Sequence, residues 1–323
     1  GSDFENRRFK QVGRLEFVED QSFTPGVMMF HPVLPMIVIG SGRGSMVKAF
    51  DTKTETVVNA WSNLSPVEST VTGMTWLNKT DIPLLATAAS DGSVHVWRDW
   101  DDCQKNVLVT SFKGVMEDCV QDIGAKVIGV GDTMILTAGS NMLRLWDLNK
   151  EELEQNIRMK SSITSINEYN EFSDHLFLVG NVTGKVTMID TRAPITQREV
   201  NSWKISHTPI INMIRPSSGN VIIAGTVARQ NEPSLCALID IRSGEFKSVP
   251  VPHLTSLVAH PTSSFFIAGS AEQFIRTYNS ETGKMIQEIK YYDGFFGHRI
   301  GPVVNMAITQ FGFSMAAATT DGS

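Results

Sequence analysis

The sequence predicts an all-β protein built from one repeated four-stranded unit. Short apolar runs end in a pair of small residues, and each pair is followed by a turn and a further apolar strand. Successive pairs lie 41 to 50 residues apart, which is the repeat length of propeller blades. The pattern therefore predicts a seven-bladed β-propeller with four-stranded antiparallel blades, the last of them incomplete in this chain. The seven pairs are Gly40-Ser41, Ala89-Ser90, Gly139-Ser140, Gly180-Asn181, Gly225-Thr226, Gly269-Ser270 and Thr319-Thr320.

The second repeat defines the unit most clearly. Residues 71–76 and 84–89 read as the first two strands, and Asp91-Gly92 is a strong hairpin-turn signal. Residues 94–97 alternate as a third strand that ends in Trp97, and residues 106–112 supply a fourth. In the third repeat, Trp146 takes the position of Trp97. The following Asp147 is expected to accept backbone hydrogen bonds in the turn to the fourth strand.

The seventh repeat has two strands, over residues 303–308 and 313–319, and the chain ends in the turn that follows them. Its third-strand aromatic residue would fall beyond Ser323. An open sheet edge invites aggregation, so the ring is expected to close on another segment. We predict that residues 7–17 form the outer strand of the last blade. Residues 3–323 then make one propeller domain, and Gly1-Ser2 is interpreted as a tag remnant.

Composition narrows the function classes. The net charge is −6, from 28 basic and 34 acidic residues, which is a poor balance for a dedicated nucleic-acid binder. No apolar run approaches the ~18 residues of a membrane span. The three cysteines are far apart and form no C-x-x-C pair, which favours a reducing compartment and predicts a location in the cytosol or nucleus.

Several motifs resemble those of the WD-repeat family. They are Leu145-Trp146-Asp147, Asp91-Gly92-Ser93 ahead of Trp97, and Gly297-His298 ahead of a first strand. In that family a loop His, a strand Ser or Thr, a turn Asp and a third-strand Trp form a hydrogen-bonded tetrad. Here the tetrad is present in fragments. Asp91 and Trp97 lack the loop His, and His298, Thr319 and Asp321 lack the Trp.

Residues 289–301, IKYYDGFFGHRIG, and residues 273–280, QFIRTYNS, resemble the C-terminal propeller of the raptor family. The resemblance extends over nearly the whole chain and is most specific between residues 273 and 301. It implies a non-enzymatic scaffold of the TOR kinase complex in nutrient and growth signalling. The implied partners are the kinase complex and its substrates or regulators. It also implies a cytoplasmic location with recruitment to the lysosome or vacuole surface through partners. A WD-repeat substrate receptor of a ubiquitin ligase is the alternative.

Candidate sites follow from positions that do not repeat. Aromatic residues and Arg are enriched in binding hot spots, and insertions tend to carry contacts. The candidate interaction residues are Arg43, Arg229, Gln230, Tyr292, Asp293 and Arg299. The candidate structural residues of turns and tetrads are Asp91, Trp97, Trp146, Asp147, His298 and Asp321.

We predict no catalytic residue, cofactor or metal site. Asp99, Asp101 and Asp102 do not have the spacing of an EF-hand loop and are interpreted as a solvated loop. The glycine-rich residues 40–45 lack the Lys-Ser/Thr ending of a phosphate loop and lead into a strand instead of a helix. A propeller enzyme that uses the central channel is the least favoured hypothesis, because no nucleophile or metal constellation is visible.

Overall fold

The structure is a computed structural model that describes residues 23–66, 68–114, 124–170, 173–216, 219–290, 301–309 and 314–320. The described residues form 26 β strands and one short 3₁₀ helix, Ile195–Gln197. Strands pair antiparallel with their neighbours in chain order. The predicted all-β architecture and the four-stranded antiparallel blades are therefore confirmed.

Six sheets contain four strands each, and we number them as blades 1 to 6. Blade 1 consists of β1 Pro25–Phe30, β2 Met36–Ser41, β3 Met46–Asp51 and β4 Thr56–Ser62. Blade 2 consists of β5 Val71–Leu77, β6 Leu84–Ala89, β7 Ser93–Arg98 and β8 Val107–Lys113. Blade 3 consists of β9 Lys126–Val130, β10 Met134–Gly139, β11 Met142–Asp147 and β12 Glu152–Arg158.

The second half of the chain continues the pattern. Blade 4 consists of β13 Ile163–Glu168, β14 Leu176–Asn181, β15 Lys185–Asp190 and β16 Glu199–Lys204. Blade 5 consists of β17 Ile210–Ile214, β18 Val221–Thr226, β19 Leu235–Asp240 and β20 Phe246–Pro250. Blade 6 consists of β21 Leu254–Ala259, β22 Phe265–Ser270, β23 Phe274–Asn279 and β24 Met285–Lys290.

The prediction of seven blades is wrong. The described residues contain six four-stranded blades, and the last repeat forms a two-stranded sheet of β25 Val303–Ile308 and β26 Met315–Thr319. The repeat count overestimated the blades because the small-residue pair marks only the second strand of a unit. The last unit has this pair at Thr319-Thr320, but its described residues form only two strands. The proposed closing segment, residues 7–17, lies outside the described residues.

The first strands form a closed inner ring. β1 contacts β5, and the contacts continue through β9, β13, β17, β21 and β25, which returns to β1. Apolar clusters fill the space between successive sheets. One example lies between blades 4 and 5, where the fully buried Leu178 packs with Ile210 and Met213. Another joins the two-stranded sheet to blade 1, where Ala307 and Ala318 pack with Phe23 and other buried residues. The core is therefore shared between neighbouring sheets.

The small residue that ends the second strand has a packing role. A Cβ atom on Gly40 would lie 2.5 Å from Cγ1 of Val71, the first residue of the next blade's inner strand. A Cβ atom on Gly180 would lie 2.6 Å from Cγ2 of Ile210 in the same way. Interiors are close-packed, so a neighbouring blade can approach this closely only where the side chain is absent. The repeated motif is thus one half of a contact between blades.

Polar side chains on the inner strands join neighbouring sheets by donating to backbone carbonyls. The side-chain Nδ2 of Asn212 donates to Leu257 O over 3.3 Å, which joins blades 5 and 6. The hydroxyl of Thr72 donates to Ala125 O over 2.6 Å, next to blade 3. Such bonds satisfy buried carbonyls that face another sheet. The other members are Asn167 to Met213 O, Thr255 to Val303 O and Asn305 to Gly26 O.

Candidate interaction surfaces

The antiparallel blades divide the turns between two faces of the ring. Turns between second and third strands, and the connections to the next blade, lie on one face, which we call the front face. Turns between first and second strands and between third and fourth strands lie on the opposite face, the back face. Binding residues in propellers are expected on such loops, because the strands fix their positions.

The predicted interaction residues that the structure describes lie on the front face. Arg43 is in the β2–β3 turn, where its N–H donates to Ser41 Oγ over 3.1 Å, and its side chain is exposed. Arg229 and Gln230 are exposed in the longer β18–β19 loop. Blade 1 and blade 5 are not neighbours in the ring. The structure therefore places Arg43 away from Arg229 and Gln230, and they do not form one compact site.

The β18–β19 loop has a defined shape. Arg229 and Glu232 exchange backbone hydrogen bonds of 2.9 and 3.0 Å, which close a tight turn that presents Gln230. The carboxylate of Glu232 also accepts the backbone N–H of His207 over 3.3 Å, which ties the loop to the connection from blade 4. The other predicted interaction residues, Tyr292, Asp293 and Arg299, lie outside the described residues.

A directed series of hydrogen bonds connects Trp97 to Asp91 on the front-face side of blade 2. Trp97 Nε1 donates to Thr87 Oγ1 over 3.3 Å, and Thr87 Oγ1 donates to Asn63 Oδ1 over 2.5 Å. At the other end, Ser93 Oγ donates to Asp91 Oδ1 over 2.6 Å. We call this set the Trp97 relay. Its members in order are Trp97, Thr87, Asn63, Ser65, Ser93 and Asp91.

Asn63 was missed by the sequence analysis. It is fully buried, comes from the connection between blades 1 and 2, and occupies the position in the relay that a loop His has in the WD-repeat tetrad. An amide side chain suits this position because it accepts through Oδ1 and donates through Nδ2. The signal in the sequence was weak, since Asn63 lies 24 residues before Thr87 in an irregular loop. A polar residue just after a fourth strand is the feature that could have indicated it.

Blade 3 has a shorter version of this arrangement. Trp146 Nε1 donates to Thr137 Oγ1 over 3.0 Å, and Thr137 Oγ1 donates to the backbone carbonyl of Gly114 over 2.8 Å. Asp147 Oδ1 accepts the N–H groups of Asn149 and Lys150 over 3.0 and 3.1 Å, in the turn to β12. The remaining predicted tetrad residues, His298 and Asp321, lie outside the described residues.

An aromatic cluster on the back face was also missed. The ring centroids of Trp76 and Trp100 are 5.0 Å apart, and the His31 ring lies 5.7 Å from each. Trp76 Nε1 donates to Phe30 O over 2.8 Å, and Trp100 Nε1 donates to Pro83 O over 3.2 Å. The cluster therefore joins the β1–β2 turn, the β5–β6 loop and the β7–β8 loop. Nothing in the spacing of these residues indicates that they meet.

The imidazole of His31 stabilises the β1–β2 turn. Its Nδ1 accepts the N–H groups of Val33 and Leu34 over 3.0 and 2.8 Å, so it must be unprotonated. Burial lowers the pKa of His31, and the charge of Asp101 partly opposes this shift. His260 forms the same kind of turn, because its Nδ1 accepts the N–H groups of Thr262 and Ser263.

The described part of the chain offers no cluster of metal ligands and no membrane-spanning helix. No three or more His, Cys, Asp or Glu side chains stand close enough there to hold a metal ion. Within the same part of the chain, no helix is long and apolar enough to cross a membrane.

A cleft of about 240 Å³ lies between blades 3 and 4, and its lining includes Glu168, Ser173 and Asp174. The free Cys236 is buried, and burial raises the pKa of its thiol.

The ring of blades defines a β-propeller, and its tryptophan-centred hydrogen bonds resemble part of the WD-repeat tetrad. No protein-family model matches the chain. The raptor homolog of Dictyostelium discoideum is 26% identical over 309 residues, which cover 91% of this chain and 20% of that protein. The target of rapamycin complex 1 subunit mip1 of Schizosaccharomyces pombe is 25% identical over 81% of this chain and 20% of its own length.

A third curated relative is regulatory-associated protein of TOR 1 of Arabidopsis thaliana, which is 22% identical over 91% of this chain and 22% of its own length. The crystal structure of Chaetomium thermophilum Raptor matches with a TM-score of 0.80 and 17% identity, over 93% of this chain and 27% of that chain. The chain thus spans about a fifth of the length of the curated relatives it matches. The predicted resemblance to the raptor propeller is confirmed.

Proposed function

We propose that this propeller is a non-enzymatic scaffold within a TOR kinase complex. There it supports assembly and the recruitment of substrates or regulators in nutrient and growth signalling. One observation carries the proposal: raptor and TOR complex 1 proteins of several organisms are similar to this chain over most of its length. Their names favour a TOR complex over the ubiquitin-ligase alternative. The cytoplasmic location and the recruitment to a lysosome or vacuole surface stay predictions.

The structure supports binding more than chemistry. The buried hydroxyl groups of Thr87 and Thr137 donate hydrogen bonds to Asn63 and Gly114, which fixes the connections between neighbouring blades. The exposed residues on the loops, such as Arg43 and Arg229, then lie on a rigid frame. Rigid presentation lowers the entropy cost of binding, which suits a docking module.

Co-purification tests this function. A tagged chain expressed in cells that contain TOR complexes is expected to recover a TOR-type kinase, identified by mass spectrometry. Recovery of ubiquitin-ligase subunits without the kinase would overturn the proposal. As a matched pair, Tyr292→Ala with Arg299→Ala is expected to reduce recovery of the kinase, whereas Lys284→Ala, an exposed residue of the β23–β24 turn, leaves it unchanged. A melting curve for each variant separates lost binding from lost folding.

A further inference from the structure

Three large apolar side chains are exposed on the back face at blades 1 and 2. Val33 is 75% exposed and Leu34 is 48% exposed in the β1–β2 turn, and Ile82 is 60% exposed in the β5–β6 loop. Single exposed apolar residues are common on protein surfaces, but neighbouring ones mark interaction sites. These residues form one binding surface if the two loops lie side by side and are held in place.

The aromatic cluster beneath the two loops connects them. Trp100 lies 5.7 Å from the ring of His31, which precedes Val33 by two residues, and its Nε1 donates to Pro83 O, next to Ile82. The loop that carries Ile82 and the turn that carries Val33 therefore both contact Trp100, through Pro83 O and the His31 ring. We call Val33, Leu34 and Ile82 the apolar patch.

The patch is rigid. The N–H groups of Val33 and Leu34 are both held by His31 Nδ1, and Trp100 is 3% exposed and packed in the core. The backbone carbonyl of Trp100 accepts the Asn59 amide over 2.8 Å, which anchors the β7–β8 loop to β4. A surface that is fixed before binding loses little conformational entropy when a partner is bound.

The loops around the patch carry more acidic than basic side chains. The acidic members are Asp81, Asp99, Asp101 and Asp102, and the basic members are Lys79, Arg98 and Lys105. Arg98 and Asp99 are paired over 3.8 Å and offset each other, which leaves Asp81, Asp101 and Asp102 against Lys79 and Lys105. Asp101 directly follows Trp100, whose ring centroid lies 5.7 Å from that of His31, so this carboxylate belongs to the loop that packs against the β1–β2 turn. The chain as a whole also has a net charge of −6, which attracts cationic partners.

We propose that the apolar patch is a docking surface for a protein segment that presents large apolar side chains flanked by Lys or Arg. The apolar side chains of the segment cover Val33, Leu34 and Ile82, and its cations face Asp81 and Asp101. This inference rests on the proposed scaffold function, because it names a surface and a class of partner for it. The patch lies on the face opposite to Arg43 and Arg229, so the ring can hold two partners at once.

The test uses the whole chain and a fluorescent synthetic peptide of leucine and lysine at amphipathic helical spacing. Binding is measured by fluorescence anisotropy at about 0.15 M salt, where weak surface electrostatics are screened. The triple variant Val33→Ser, Leu34→Ser, Ile82→Ser is expected to bind at least about tenfold more weakly, as for the loss of interface anchors. The double variant Asp81→Asn, Asp101→Asn is expected to cause a smaller loss of peptide affinity. The single variant Ile82→Lys is also expected to weaken binding and repeats the test with one substitution.

Ile195→Ser is the matched control, because Ile195 is 81% exposed on the same face but lies at blade 4. This substitution is expected to leave peptide binding unchanged. Equal losses in Ile195→Ser and the triple variant, or no loss in either, would overturn the proposal. So would equally tight binding of a leucine and glutamate peptide. A dimer that becomes a monomer in the triple variant would assign the patch to a second copy of the chain. The peptide assay contains no kinase. A failure of the patch proposal would therefore leave the proposed scaffold function to be decided by co-purification alone.

Discussion

Blades 1 and 2 contain Trp61, Trp76, Trp97 and Trp100, which are four of the six tryptophans in the chain, whereas the sequence of blades 5 and 6 contains none. At the junction of blades 1 and 2, the indole N–H of Trp76 donates to Phe30 O, at the end of β1 where the β1–β2 turn begins. At the junction of blades 5 and 6, the hydrogen bond comes from Asn212 on the inner strand and ends on the backbone of β21. Both junctions are closed by a glycine on a second strand.

The difference shows that two kinds of joint hold one ring. An indole is long enough to reach from the core to the base of a loop, so it fixes loops as well as sheets. An asparagine on an inner strand reaches only the neighbouring strand, so the loops outside it are held by their own turns. The half with tryptophans is therefore the half in which we expect preorganised binding loops. Four changes test this comparison, in decreasing order of expected effect.

The largest loss of stability is expected at the two-stranded sheet of β25 and β26, which has the fewest strands among the described sheets. β26 has β25 as its only paired strand among the described residues, so its outer edge lies open there. Deletion of residues 1–17 is expected to lower the melting temperature by roughly 5–10 °C, which corresponds to the loss of several kcal/mol in a large domain. Deletion of residues 1–6 alone is the control and is expected to change little. An unchanged melting curve for the longer deletion would show that residues 7–17 do not close the ring.

The second test compares glycines at the two junctions. Gly40→Ala places a Cβ 2.5 Å from Cγ1 and 2.8 Å from Cβ of Val71, and a β-branched side chain cannot turn away. Gly225→Ala meets Leu254 Cδ2 at 2.6 Å, and this flexible end can shift. Guanidinium unfolding is expected to show a loss of about 2–3 kcal/mol for Gly40→Ala and about 1 kcal/mol for Gly225→Ala.

Gly42→Ala is the control in the same hairpin. Its Cβ would meet Gly26 Cα at 3.4 Å, which is ordinary contact, so a change of less than about 0.5 kcal/mol is expected. If Gly42→Ala were as destabilising as Gly40→Ala, the glycines would matter for the turn and not for the packing between blades.

The third test breaks the Trp97 relay. Thr87→Val keeps the shape of the side chain but leaves the buried Trp97 N–H and the Asn63 carbonyl without a partner. We expect a loss of about 1–3 kcal/mol. The double variant Thr87→Val, Asn63→Leu removes both polar partners, and its loss is expected to be smaller than the sum of the single losses. Strict additivity in the unfolding titrations would argue against the relay.

The smallest effect concerns pH. Burial lowers the pKa of His31 in the folded state, so the unfolded chain takes up a proton first as the pH falls. The stability contributed by neutral His31 is therefore complete above its unfolded pKa of about 6.5 and decreases as the pH falls below it. His31→Asn keeps an acceptor for the turn but does not titrate. The difference between the two proteins is expected to narrow in urea titrations between pH 7.5 and 5.5, and a constant difference would contradict this role.

Local patterns in the sequence predicted the strands well and the contacts between them poorly. Alternation and turn residues indicated β7 and its hairpin, because strand period and turn chemistry act over a few residues. The predicted seventh blade is wrong because the Thr319-Thr320 pair indicates only a second strand, and the described residues there form a two-stranded sheet. Asn63 and the cluster of His31, Trp76 and Trp100 were missed because they are brought together by the packing of blade 1 against blade 2, which no local pattern records.

The hydrogen bonds between inner strands have a consequence for how such a ring tolerates change. Each bond has a specific donor, such as Asn212 or Thr72, but its acceptor is a main-chain carbonyl. Every amino acid supplies that acceptor, so a mutation in the accepting strand alters the packing there without removing the joint. The accepting residue of each such bond can thus change its side chain without loss of the hydrogen bond. A propeller of this kind can keep its shape while its repeats become hard to recognise as copies of one another.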